Sequence, residues 1–383
     1  MIKGQPESST FTKFYFYLQG VGCLLGWNAV LTALDWFQGQ FPDVEVFFVF
    51  PLPIFIFNLL LCPFMPQISK FAGLDARIAG STAVQIGVLV LLPILAELLP
   101  NTAGFLLIMA LLAVLGAMNT IQSASCAGLA ANFPFSDMGG LITGYGLAGM
   151  IINGFRGICL GIFGPEGGIA GIAVYFTCAV GITLLCILVH YKFIKTEYCQ
   201  YYLNKAANAA GDDTSFTRGG EELNSQLIFE NDTSSAISGN QVGVADDTSQ
   251  ISILPQSNQP PTLFGVWKEV ALYSILMIVN YIQTFLVFPG VALMKQLDFV
   301  GGGAWSALIL IFSLNFGDTV GKMMTGYRSL YNKYSIAGMV AFRFLFFINF
   351  IILAKNQSTS FINTDWFAVL NMLVFSFMNG FHT

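Results

Sequence analysis

Asn315, Asp318 and Lys322 stand at i, i+3 and i+7 in an otherwise apolar run from Ala304 to Tyr327. On an α-helix the three share a face, with carboxylate and ammonium one turn apart. Ionisable groups in hydrocarbon are costly and usually face a wet cavity, an opposite charge or a substrate. Side by side, Asp318 and Lys322 could accept from and donate to sugar hydroxyls, and Asp318 could exchange a proton with a cavity. An intrahelical ion pair that only lets both charges survive is the alternative. Asn315 makes the face more polar than a bare pair requires.

Other runs carry isolated polar groups. Gln122 lies deepest in its run, with Asn119 nearly a turn earlier and Ser123 and Ser125 nearby. Its amide offers donors and an acceptor, which suits the edge of a base; interhelical hydrogen bonding is the equal alternative. Trp27 sits inside the run from Phe14 to Phe37, beside Leu24 and Asn28, where it could face a planar ligand or anchor at an interface. Gly146 and Gly149 share a face with Asn153, and Gly154 and Gly157 continue the small residues; helix–helix approach is the favoured reading. Arg156 keeps its proton and must find an anion, a carbonyl or water, so it either braces the fold or lines a path. The sequence contains no nucleophile–base arrangement, phosphate-binding Gly-Lys-Ser loop or metal cluster. An enzyme or ATP-driven pump is therefore not expected, and neither a cofactor nor a metal.

The elements that must position these groups are membrane spans. Hydrophobic residues form 55% of the chain and charged residues 10%, where a soluble domain carries about 25% charged. A span needs roughly 20 apolar residues. Ten candidate runs follow: 14–37, 46–66, 77–99, 103–131, 138–162, 168–191, 267–288, 301–327, 335–354 and 366–383. The second is interrupted by Pro51, Pro53, Pro63 and Pro66. The expected class is an all-α, polytopic membrane protein.

With the N-terminus in the cytoplasm, eleven basic residues fall on the inner side and only Lys295 and Lys355 on the outer. That positive-inside bias sets the expected orientation. The chain divides into a six-helix bundle over 1–192, a hydrophilic segment over 193–266 and a second bundle over 267–383. The middle segment holds nine acidic and three basic residues and reads as a largely disordered cytoplasmic loop. Its acidity accounts for the net charge of −5 and implies no nucleic-acid partner. Asn231 opens a glycosylation sequon on the inner side and Asn356 a better-placed one on the outer. Six of the seven cysteines lie in spans with no CxxC, so they read as packing residues.

Taken together, Gly26-Trp27-Asn28, Gln122, Gly144-x-Gly146-Leu147-Ala148-Gly149, Asn315-x-x-Asp318-x-x-Gly321-Lys322 and Asn379-Gly380-Phe381 resemble the equilibrative nucleoside transporters, a solute-carrier family. The resemblance covers essentially the whole chain outside the central loop. It implies a major-facilitator-like bundle that passes nucleosides, sometimes nucleobases, by alternating access. By motif position, Gln122 resembles the family's base-recognising glutamine, Trp27 and Leu24 its residues beside the pocket, and Asp318 its sugar-contacting aspartate. Asn28, Gly146, Gly149, Asn153, Arg156 and Asn315 support them. Lys322 stands where arginine is usual, and Gly26 where proline is common. The family has eleven spans, six before the loop, so a chain that ends at Thr383 in the tenth (6 + 4) is expected to lack the last helix. The expected partners are a nucleoside or nucleobase and the bilayer, in the plasma membrane or an internal one; proton coupling is not legible. A sugar or polyol carrier of the major-facilitator type, and a non-transporting receptor or scaffold, are the alternatives.

Overall fold

Inside a bilayer, backbone N–H and C=O groups must bond within the chain, which long apolar runs achieve as helices. The computed structural model describes residues 8–165, 168–209, 263–324, 333–355 and 361–382. Among these, 89% are helical and none is in a strand. The elements are α1 (Thr10–Thr32), α2 (Leu34–Gln40), α3 (Val46–Val49), α4 (Pro51–Leu61), α5 (Met65–Phe71), α6 (Leu74–Leu98), α7 (Thr102–Ala130), α8 (Phe135–Phe163), α9 (Gly168–Phe193) and α10 (Glu197–Ala209). After the segment 210–262, which lies outside the described residues, follow α11 (Leu263–Val287), α12 (Gly290–Leu293), α13 (Gly303–Met323), α14 (Lys333–Arg343), α15 (Leu345–Lys355) and α16 (Asp365–His382). Both sequons also lie outside the described residues.

Among the described residues, nine helical stretches are long and apolar enough to cross a membrane. They coincide with the first nine expected runs. The tenth run is helical as α16, but Asn371, Ser376 and Asn379 dilute its apolar character. The first run is not one helix: it breaks at Ala33, where α2 turns off. Helix starts follow local chemistry. Ser9 Oγ accepts from the Thr12 N–H at 3.1 Å to cap α1, and Asn101 Oδ1 from the Gly104 N–H at 3.0 Å to cap α7.

The segment 193–266, expected to be largely disordered, begins with an ordered helix. Tyr198, Cys199, Tyr202 and Leu203 share a face of α10 and are buried. Tyr198 and Tyr202 lie against the Phe133 ring, and Tyr198 donates to Asp137 Oδ2 at 2.7 Å. An aromatic cluster with Tyr15, Phe16 and Phe193 fills this end of the bundle, here called the near end because α1 begins there.

Two glycine seams set the closest helix approaches. Gly20 of α1 and Gly144 of α8 face each other, each so near the other's backbone that a Cβ would collide. Gly317 and Gly321 of α13 lie equally close to the α16 backbone, and Gly380 of α16 to that of Asp318. Small residues let membrane helices gain contact this way. Between these pairs, α8 runs antiparallel to α13, with Gly146 opposite Thr319, Gly149 opposite Asn315 and Gly157 opposite Leu308.

Candidate functional site

The polar stripe on α13 splits between two neighbours. Asn315 turns to α8, where its carboxamide fills the space a Gly149 Cβ would need; Thr319 fills that at Gly146. Asn315 Nδ2 is buried without a hydrogen-bond partner. Asp318 turns to α16, with Lys322 one turn along. Lys322 Nζ donates to Asp318 Oδ2 at 2.5 Å, and Asn379 Nδ2 donates to Asp318 Oδ1 at 2.7 Å. The intrahelical pair thus forms, but as part of a larger set. Asn379 Oδ1 accepts from Asn280 Nδ2 at 3.1 Å, with Thr284 Oγ1 at 2.9 Å. Arg343, fully buried, donates to the Asn280 carbonyl at 2.9 Å, to Asn280 Oδ1 and to Thr284 Oγ1 at 2.9 Å. Its guanidinium lies 4.1 Å from the Phe375 ring centre.

On the other side of the bundle, Gln122 is fully buried on α7. Its Oε1 accepts from Gln85 Nε2 of α6 at 2.7 Å, while its Nε2 is buried without a partner. A Cβ at Gly22 would meet that Nε2 at 3.4 Å, and one at Gly26 would meet Gln85 Oε1 at 3.2 Å. These contacts fix depth. Gly22 lies two residues beyond Gly20 on α1, as Gly146 lies two beyond Gly144 on the parallel α8. Gln122, beside Gly22, is therefore at about the same depth as Thr319, which lies beside Gly146, and as its chain neighbour Asp318.

Trp27 is half-buried, its ring 4.8 Å from Phe55, which lies 3.8 Å from Phe285 of α11. This aromatic row joins the N-terminal helices to the C-terminal ones. Leu24 packs on the main core, and its carbonyl accepts from Asn28 Nδ2 at 2.9 Å. Asn153 Nδ2 likewise bonds the Gly149 carbonyl of its own helix at 2.7 Å. Asn28 and Asn153 are thus tied back to their helices. Arg156 stands apart toward the far end, where NH2 donates to Asp35 Oδ2 at 2.7 Å. None of the cysteines is paired, and no group of three His, Cys, Asp or Glu among the described residues could hold a metal.

The family model described as nucleoside transporter matches residues 109–383. The chain belongs to the nucleoside transporter family. Equilibrative nucleotide transporter 5 of Arabidopsis thaliana is 26% identical to this transporter over 360 residues, covering 88% of this chain and 77% of that one. Equilibrative nucleoside transporter 2 of Rattus norvegicus is 23% identical over 411 residues, covering 96% and 86%. The solved structure of tetrameric PepTSo2 superposes with a TM-score of 0.51 at 13% identity, covering 98% of this chain and 82% of that one. That likeness shows the fold, a major-facilitator-like bundle. The protein is an integral multi-pass membrane transporter of nucleosides, not an enzyme.

Several residues of these networks escaped the sequence reading: Gln85 beneath Gln122, Asp35 beside Arg156, and Asn280 and Thr284 between Arg343 and Asn379. Each is a single polar residue in an apolar or mixed run, with no motif to mark it. The glycine seam offers a direct check on this transporter. Gly149→Val must push the Asn315 carboxamide out of its place, and overpacking of this kind costs about 1–3 kcal/mol. Initial uptake rate is expected to fall at least tenfold, with surface expression retained. Gly154→Val, where a Cβ meets nothing within 4 Å, is expected to leave uptake unchanged.

Proposed function

We propose that a nucleoside binds midway along the bundle, its base against Gln122 and Trp27 and its sugar hydroxyls on Asp318 and Lys322. Leu24 packs beside the base. The matched depth of Gln122 and Asp318 supports this reading: base and sugar could bridge the two halves at one level. Gln122 Nε2 is a buried donor awaiting an acceptor, which a carbonyl or ring nitrogen of a base supplies.

Residues 1–192 and 267–383 act as the two rocking halves, with 193–266 as their connection, so that the site opens to each side in turn. The excess of Lys and Arg near Thr10 and Phe193 puts the near end in the cytoplasm. The plasma membrane is the proposed location, and nucleobases are secondary substrates.

The test is radiolabelled adenosine, uridine and hypoxanthine uptake in cells lacking endogenous carriers. Saturable nucleoside uptake is expected. Gln122→Ala should raise the nucleoside KM about 10- to 100-fold, equivalent to one lost hydrogen bond from a buried group, about 1–3 kcal/mol. Unchanged KM would remove Gln122 from the site. Repeating the assay under an imposed pH gradient tests whether protons are coupled.

A further inference from the structure

Beyond the central set, a cavity of about 790 Å³ opens between the halves at the far end. That volume is in the range of small-molecule sites, about 300–1,000 Å³. Asp35, Trp36 and Phe48 line it from the N-terminal helices with Arg156, and Gly290 and Ala307 from the C-terminal ones. A Cβ at Gly290 would land on the Phe48 ring, so the halves also touch at its margin. Arg156 is ten residues along α8 from Gly146, about 15 Å at 1.5 Å per residue. A nucleoside held at Asp318 therefore does not reach Arg156, and the cavity is a place of its own.

The chemistry of its wall is specific. The Arg156 side chain is 6% exposed and that of Asp35 17%. NH2 of the arginine bonds the aspartate, but its Nε is buried without a hydrogen-bond partner. Buried donors are nearly always matched, so the guanidinium beside this cavity has donor capacity left over. A carboxylate has about four lone-pair sites, and the Asp35 group, which the arginine and nearby backbone N–H groups use in part, is still 17% exposed. Trp36 and Phe48 add ring faces to that pair. The ionisable groups of the lining are Asp35, Glu45 and Arg156, with a thiol at Cys159, so the formal charge of the wall is negative. That balance repels phosphate and suits a neutral molecule with hydroxyls at one end and a flat ring at the other.

We propose that this cavity is a second nucleoside subsite, binding ribose hydroxyls at Asp35 and Arg156 and the base against Trp36 and Phe48. The proposal rests on nucleosides being the cargo. It makes the cavity a vestibule in which cargo is oriented before it passes to the central site.

Equilibrium binding of radiolabelled uridine to the full chain in lipid nanodiscs tests it. Two uridines per chain are expected. Asp318→Asn should remove one and leave the other, and Asp35→Asn should do the reverse. Trp36→Ala, which leaves the Asp35–Arg156 pair intact, should weaken the vestibule site at least tenfold without loss of folded protein. Uridine monophosphate should not compete there. One uridine per chain, removed by Asp318→Asn, would overturn the second subsite and leave the central one standing. A wild-type chain that neither binds nor carries any nucleoside would instead overturn the cargo itself.

Discussion

Asp318→Ala is expected to abolish nucleoside uptake and to lower the thermal stability of the purified chain. The carboxylate takes both its close partners from inside the bundle, Lys322 at 2.5 Å and Asn379 at 2.7 Å. Removing it takes the negative charge from beside a buried ammonium and leaves the Asn379 amide without its acceptor. Deleting one member of a buried pair costs about 3–5 kcal/mol, against roughly zero for replacing both by apolar groups of similar volume. The double variant Asp318→Leu with Lys322→Met separates the two roles of the pair. Its Tm should recover in part, because the Lys322 ammonium no longer stays buried alone while the Asn379 amide still lacks its acceptor. Its uptake should remain absent, because nothing is left to hold the sugar. Recovery of uptake in the double variant would show that the pair serves only the fold. Lys322→Arg keeps the charge and adds a planar fork, so it should carry nucleosides at a rate within a few-fold of wild type.

What could be read from residues alone was whatever has a period or a cost. The runs of 20 or more apolar residues gave the spans because hydrocarbon permits little else, and the stripe at Asn315, Asp318 and Lys322 was visible because charges in such a run need a reason. Its division was not visible. Helical spacing puts the three on one face, but which neighbour each meets depends on α8 and α16 approaching through glycines. Arg156 was likewise evident as a charge in a span, and Arg343 falls within the run 335–354, while the partners of both were not evident. Asp35 is 121 residues from Arg156, and Asn280 is 63 from Arg343. No periodicity links positions so far apart. The ordered start of the central segment carried a signal that composition hid: Tyr198, Cys199, Tyr202 and Leu203 repeat at helical spacing inside a stretch whose average is polar.

The second large effect is expected at Arg343, which touches no proposed substrate contact. Its guanidinium donates to the Asn280 carbonyl, to Asn280 Oδ1 and to Thr284 Oγ1. With Oδ1 thus engaged, Asn280 presents its Nδ2 to Asn379 Oδ1, and Asn379 in turn must present its own Nδ2 to Asp318. Each amide has one sensible orientation, and the arginine sets the first of them. Arg343→Met preserves length and apolar contact with Phe375 but frees Asn280 to turn over. The Asn379 donor to Asp318 is then held only through Thr284 Oγ1, and the carboxylate can shift away from the sugar. Hydrogen bonds to a charged group contribute about 1.5–3 kcal/mol each, so a clear fall in Tm is expected. A fall in Tm alone would describe a brace. The positioning role predicts more: the preference for uridine over 3′-deoxyuridine, read as the ratio of kcat/KM, should drop toward one in Arg343→Met. Arg343→Lys, which keeps one donor to Asn280, should fall between the two. An unchanged ratio in a folded Arg343→Met chain would mean that Asp318 holds its place without the amide relay.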